Sequence, residues 1–250
     1  MALKNGMSEY NFPNWLEAFD KVCRRGEKTL EWGLPEQWVH AELFAALKEA
    51  SPRSGWTPFS TELPYLTHYP VALPKAKNRD WRQKGAIKWA DLCLTNSEHN
   101  SWCWFELKVR HTGSGAREST GAYSALDAVA KDYVGLCGFD PKETGSIWMD
   151  PDQFTKAYWF EEILGPHANN LPYATHCFAS AYLQIGSSMN ETIIDRNLVQ
   201  ERINSWFAWR SKNSKHNAAI PDPVFTFTSS LVGGHSLLIC ESIHPGKIDS

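Results

Sequence analysis

The chain has 250 residues, 42% of them hydrophobic and 21% charged, with a formal net charge of −3. That is room for one well-buried domain of ordinary soluble composition, and the whole-chain charge gives no support to nucleic-acid binding, which would have to rest on local charge distribution. No apolar run approaches the roughly 20 residues needed to cross a bilayer, and the opening residues, MALKNGMSEYNF, carry no signal-peptide hydrophobic stretch.

Six cysteines, Cys23, Cys93, Cys103, Cys137, Cys177 and Cys240, show no paired spacing. This points to a cytosolic protein without disulfides or structural zinc. Twelve tryptophans are unusually many. Most are expected to fill the core, with a few on an exposed face able to stack on bases or sugars.

In chain order, a short helix is expected around Trp15 to Arg24. A second starts at Pro35, well placed in a first helical turn, and runs to about Ala50. Residues 51–86 are rich in Pro, Gly and charge and hold at most short strands, around Pro58 to Leu63. Two strands follow, Ile87–Thr95 and Ser101–Val109, joined by a tight polar turn. A helix is expected from Gly121 to Cys137, with Leu126, Val129, Ala130, Tyr133 and Val134 at helical spacing. Asp140-Pro141-Lys142 reads as a turn, and Asp150 to Leu164 as a helix. Tyr173 to Ile185 reads as a strand, Glu191 to Trp209 as a long helix, and Val224–Leu231 with Ser236–Ser242 as a hairpin across Gly233-Gly234. The fold expected is a single α/β domain with a mixed central sheet flanked by helices. Its core covers about residues 36–186, with a helix and hairpin at 190–245 as a C-terminal extension.

The two central strands carry the chemistry. Glu106 and Lys108 lie two apart on one strand and project to the same face. If the turn is Ser97-Glu98-His99-Asn100, Asn96 pairs with Ser101, and counting back sets Asp91 opposite Glu106. Opposed residues share a face, with Cβ atoms roughly 4.5–5.5 Å apart. Two bare carboxylates there repel unless a cation sits between them or one stays protonated. A one-residue slip would move Asp91 to the other face. In the preceding helix, Glu42 stands in an apolar stripe between Trp38, Val39, Ala45 and Ala46. Such a carboxylate is costly to bury unpaired; it is either a structural acid or one facing the same cation.

This order, a helix with Glu42, a strand with Asp91, a strand with Glu106-Leu107-Lys108, a helix and a strand, resembles the PD-(D/E)XK nuclease superfamily with its restriction-endonuclease-like αβββαβ core. The resemblance implies that Asp91 and Glu106 bind Mg²⁺ or Mn²⁺. It also implies that Lys108 positions or activates the attacking water and that Glu42 joins the metal site. The family's proline before the aspartate is Ala90 here. Lys131-Asp132 resembles a recurrent polar pair of the family's second helix.

The function implied is metal-dependent hydrolysis of phosphodiester bonds, with DNA as the expected substrate. Basic residues flank the site, at Lys75–Lys88 before it and at Arg110–Arg117 after it, as suits a polyanion. The competing reading is a non-catalytic nucleic-acid-binding or protein-interaction module on the same fold. His40-Ala41-Glu42 matches half of a zinc deaminase motif, but no Pro-Cys-x-x-Cys accompanies it. Neither a Walker loop nor G-x-S-x-G is present.

Overall fold

The computed structural model describes residues 12–30, 36–69, 86–111, 122–149, 162–185, 196–213, 225–233 and 235–244. Asn14 starts the first helix, α1 (Trp15–Leu30), with a reciprocal cap: its Oδ1 accepts from the Glu17 N–H at 3.2 Å, and its amide donates to the Glu17 carboxylate at 3.1 Å. Next comes α2 (Glu36–Ser54), whose Val39, Leu43, Ala46, Leu47 and Ala50 form one buried stripe.

Three strands follow, β1 (Thr57–Thr67), β2 (Ala86–Asn96) and β3 (Ser101–His111), and then α3 (Ala122–Cys137), α4 (Pro141–Met149) and the one-turn α5 (Gly165–Ala168). The chain continues through β4 (Thr175–Ile185), α6 (Arg196–Asn213), β5 (Phe225–Val232) and β6 (His235–His244). The six strands form one sheet in the order β1-β2-β3-β4-β6-β5. β3 and β4 run parallel and the other neighbours antiparallel. The architecture is the expected mixed sheet flanked by helices, with its αβββαβ order and a C-terminal helix and hairpin that widen the sheet beyond β4.

Two apolar layers clasp the sheet. On one face α1 and α2 bury Trp15, Phe19, Val39 and Leu43 against Leu94, Phe105, Leu107 and Leu183. On the other, α3, α4 and α6 pack against Tyr65, Trp102, Trp104 and Phe178. All five residues of the helical stripe expected from Leu126 to Val134 are buried. Among the described residues Trp15, Trp56, Trp102, Trp104 and Trp148 are buried, while Trp89 and Trp209 are exposed.

Two elements differ from the sequence expectation. β1 is longer than its prolines suggested, pairing with β2 from Thr57↔Thr95 to Thr67↔Ala86. It is an edge strand, where a missing N–H is tolerated, and the Pro64 carbonyl accepts a 2.9 Å bond from the Trp148 indole of α4. Asp140-Pro141-Lys142 is not a turn but the start of α4. Asp140 Oδ1 caps the Glu143 N–H at 2.9 Å, and Pro141 opens the helix, where it loses no intrahelical bond. The helix expected at Asp150–Leu164 lies almost wholly outside the described residues, with Glu162 and Ile163 alone seen as helical. The closing hairpin turns at Gly233, whose φ of 53° and close approach to Cys23 both favour glycine.

Candidate metal centre

The β2–β3 ladder pairs Asn96 with Ser101, the register that the polar turn predicted, and continues to Leu92↔Phe105. Beyond that level the N–H groups that β3 turns toward β2 bond to side chains. The Leu107 N–H donates to Asp91 Oδ2 at 2.6 Å, and the Val109 N–H to Glu36 Oε2 at 3.4 Å. Backbone donors need partners, and here two carboxylates supply them. The sheet therefore opens between β2 and β3, and α2 lays its first turn against the opening.

Side-chain alternation breaks at the same level. Leu92 belongs to the core under α1 and α2, whereas Cys93 and Ala90, an odd number of residues apart, both belong to the core under α3. Glu62 on β1, between the partners of Ala90 and Leu92, takes a positive φ of 54°. Asp91 sits in this irregular stretch and turns toward α2. Glu106 keeps the regular alternation with Trp102 and Trp104 and points to the α3 side. The expectation that Asp91 and Glu106 share one face is thus corrected: the register is as counted, but the pleat is not regular at Asp91.

On the α2 side, His40 Nε2 lies 3.9 Å from Asp91 Oδ2 and 3.9 Å from Glu36 Oε1. One donor atom from each of Glu36, His40 and Asp91 falls within 4.8 Å of the others. Glu36 and His40 are four apart on α2, so helical geometry brings them to one face. The Lys108 ammonium lies 3.6 Å from Glu36 Oε1 and donates to the Leu107 carbonyl at 3.1 Å. Burial pulls that ammonium down, but Asp91, Asp132, Glu36 and Glu106 outweigh it and hold Lys108 above its ordinary pKa. Burial raises the Asp91 carboxyl, against the opposing effects of the Leu107 N–H, His40 and Lys108.

On the α3 side, Glu106 is 6% exposed and accepts a 3.0 Å bond from the Tyr65 hydroxyl. Burial, reinforced by the charge of Asp91, pushes its carboxyl up to about 8. Lys88, lowered chiefly by burial, and the buried Asp132 of α3 complete its electrostatic surroundings.

Of the residues singled out by sequence, Asp91 and Lys108 enter the cluster, and Glu106 borders it from the other layer. Glu42 does not enter it. Its carboxylate pairs with Arg25 of α1 at 3.5 Å, because at 100° per residue it points about 200° around the helix from His40. Glu36 takes the place expected of Glu42, and His40 joins it. The Glu36-x-x-x-His40 spacing was the signal in the sequence for both. The basic residues Lys75–Lys84 and Arg117, and the side chains of Arg110 and His111, lie outside the described residues. Lys88 is placed, among the charges of Glu106, Asp132, Arg210 and Lys108.

Glu36, His40 and Asp91 suit a divalent cation: three donors of two types converge, and His40 Nε2, shielded from solvent, has no hydrogen-bond partner of its own. No family model, curated protein or solved structure matches the chain.

Proposed function

We propose that this protein is a metal-dependent hydrolase of phosphodiester bonds in nucleic acid, DNA in particular, acting where β2 and β3 part. The observation that carries the reading is the convergence of Glu36, His40 and Asp91 beside a charged lysine, Lys108, at a break in the sheet. Glu36, His40 and Asp91 would hold the cation. Bound there, it would polarise the scissile phosphate and lower the pKa of a water. Lys108, held in its charged form by surrounding carboxylates, serves as a donor that orients water and stabilises developing negative charge rather than as a base.

The surroundings agree with a polyanionic substrate. Trp89, two residues from Asp91, is 45% exposed and presents an indole on which a base can stack. The order of elements, with an acid on β2 and acid-x-lysine on β3, supports the likeness to the PD-(D/E)XK nucleases. Six free cysteines, five of them buried, suit a reducing cytosolic setting. Among the described residues no helix is long and apolar enough to cross a membrane.

One observation favours the alternative, a non-catalytic module on the same fold: the acid of the acid-x-lysine pair, Glu106, is bonded to Tyr65 and turned away from the cluster. Cleavage assays separate the two. Wild type, Asp91→Asn and Lys108→Ala are incubated with plasmid and single-stranded DNA in Mg²⁺ or Mn²⁺, with and without chelator. The hydrolase reading expects chelator-sensitive cleavage by wild type, none by Asp91→Asn, and cleavage by Lys108→Ala slowed by about 10²–10³, the usual loss for one such donor. Absence of cleavage by wild type, with Lys108→Ala altering affinity only, establishes the binding module. Equal cleavage by all three proteins places the site elsewhere.

A further inference from the structure

The donor set at the β2–β3 opening goes beyond a generic divalent site. We infer that His40 is a direct metal ligand through Nε2, and that the centre therefore selects Mn²⁺ or a similar transition cation over Mg²⁺. The inference rests on the cation-binding part of the proposed function but not on hydrolysis.

The chemistry of the donors carries it. Mg²⁺ demands oxygen ligands and gives up its waters reluctantly. Imidazole nitrogen suits transition cations, while carboxylate suits Mg²⁺ and Mn²⁺ alike. A cluster of two carboxylates and one imidazole thus penalises Mg²⁺ at one of its three positions. The Nε2 atom is buried from solvent yet has no hydrogen-bond partner, and an orphaned buried polar atom has a cost that a ligand would relieve. It is aimed between two carboxylate oxygens, 3.9 Å from each.

The distances fit a gap of about the right size. Donors about 2.1 Å from a shared ion stand roughly 3.0–3.4 Å from one another. The observed 3.9 Å separations would close by less than about 1 Å, within reach of small torsional adjustments. Glu36 and His40 are already aligned by the helix, and Asp91 is anchored by the Leu107 N–H, so little ordering is left to do. Three protein donors leave coordination positions open to water and phosphate.

The opposing account is that His40 simply lies between two acids, with no metal. The full chain is titrated with Mn²⁺, followed by loss of the free-ion electron paramagnetic resonance signal, and with Mg²⁺ by calorimetry. One Mn²⁺ site is expected, at least about tenfold tighter than Mg²⁺. His40→Gln should weaken Mn²⁺ by more than the roughly 10–100-fold seen when only an outer-shell partner is lost, and leave Mg²⁺ binding nearly unchanged. A readout on the unaltered protein guards against a variant that misfolds: pulsed resonance should detect nitrogen-14 coupling to bound Mn²⁺. Equal affinities for the two ions, absence of nitrogen coupling in wild type, or unaltered Mn²⁺ affinity in a folded His40→Gln overturns the inference. Nitrogen-coupled Mn²⁺ in a protein that cleaves no nucleic acid upholds it while ending the hydrolase reading. Cleavage in Mg²⁺ that is indifferent to His40 does the reverse.

Discussion

The two sides of the β2–β3 opening hold similar residues in different states. Toward α2, Glu36, His40 and Asp91 are partly exposed, with side-chain accessibilities of 34, 17 and 20%, and one donor atom of each lies within 4.8 Å of the others. Toward α3, Glu106 is buried, its carboxyl is raised to about 8, and Tyr65 occupies it. The same functional group is thus a candidate ligand on one side and part of the packing on the other. Exposure, not residue type, decides which carboxylate is available to a cation.

The strongest test of that contrast pairs Asp91→Asn with Glu106→Gln and reads Mn²⁺ affinity. Loss of a carboxylate ligand should reduce binding by about 10²-fold or more, since even outer-shell losses cost roughly 10–100-fold. Glutamine preserves the neutral, hydrogen-bonding character that Glu106 already has in the buried layer, so Glu106→Gln should bind Mn²⁺ almost as wild type does. Equal losses in both variants would break the comparison, showing that Glu106 swings to the cation when it arrives.

How far this contrast was legible in the sequence depends on which rule is asked. The hairpin register followed from four polar turn residues and holds at Asn96↔Ser101. The element order followed from periodicity, as the buried stripe of α3 shows. The faces of Asp91 and Glu106 did not, because strict alternation fails at a break that needs the positive φ of Glu62 on the neighbouring strand. Glu42 stands out in the sequence because of the apolar stripe around it. That stripe is where α2 meets α1, and Arg25 of α1 supplies the partner charge. Nothing local to α2 distinguishes a helix face that meets another helix from one that meets a strand end.

A second test sharpens the buried side. Tyr65→Phe removes the hydroxyl that donates to Glu106 and leaves a buried carboxyl short of a partner. The cost should be about 1–3 kcal/mol in global stability, the usual range for a buried group so stranded. Chemical denaturation measures it. A change within about 0.5 kcal/mol, typical of surface sites, would mean that water reaches Glu106 and that the two sides differ less than the geometry implies.

The same physics can be followed by pH at a distance from the opening. Glu241 on β6 is buried, one of its oxygens lacks a hydrogen-bond partner, and burial raises its carboxyl to about 8. Its folded pKa therefore exceeds the unfolded value of about 4.3, so between these values the folded state holds more protons than the unfolded state. Stability must then fall as pH rises through that window and level off above it. Glu106 contributes with the same sign. Glu241→Gln should flatten part of the slope and raise stability at pH 8 by on the order of 1 kcal/mol. Denaturation midpoints at pH 5, 6.5 and 8 provide the comparison, and a wild-type midpoint that climbs across this range contradicts the buried, protonated state of both acids.

The smallest effect is expected at Glu42, and its smallness is informative. Arg25 makes its short contacts, 2.6 and 2.8 Å, with Glu49, and Glu42 stands farther off at 3.5 Å. All three side chains are between 31 and 52% exposed, and pairs of that kind contribute about 0–1 kcal/mol, reduced further by salt. Glu42→Gln should thus leave stability within about 0.5 kcal/mol and Mn²⁺ affinity unchanged. Glu36→Gln, six positions earlier on the same helix, should weaken Mn²⁺ by more than about tenfold, since its carboxylate stands with Asp91 and His40. The pair of variants reads the rotation of α2 about its axis: the two glutamates differ by roughly 240° at 100° per residue, so only one can face the opening. If Glu42→Gln were the variant that lost the cation, α2 would have to present its other side to β2 and β3, and His40 would leave the site with Glu36.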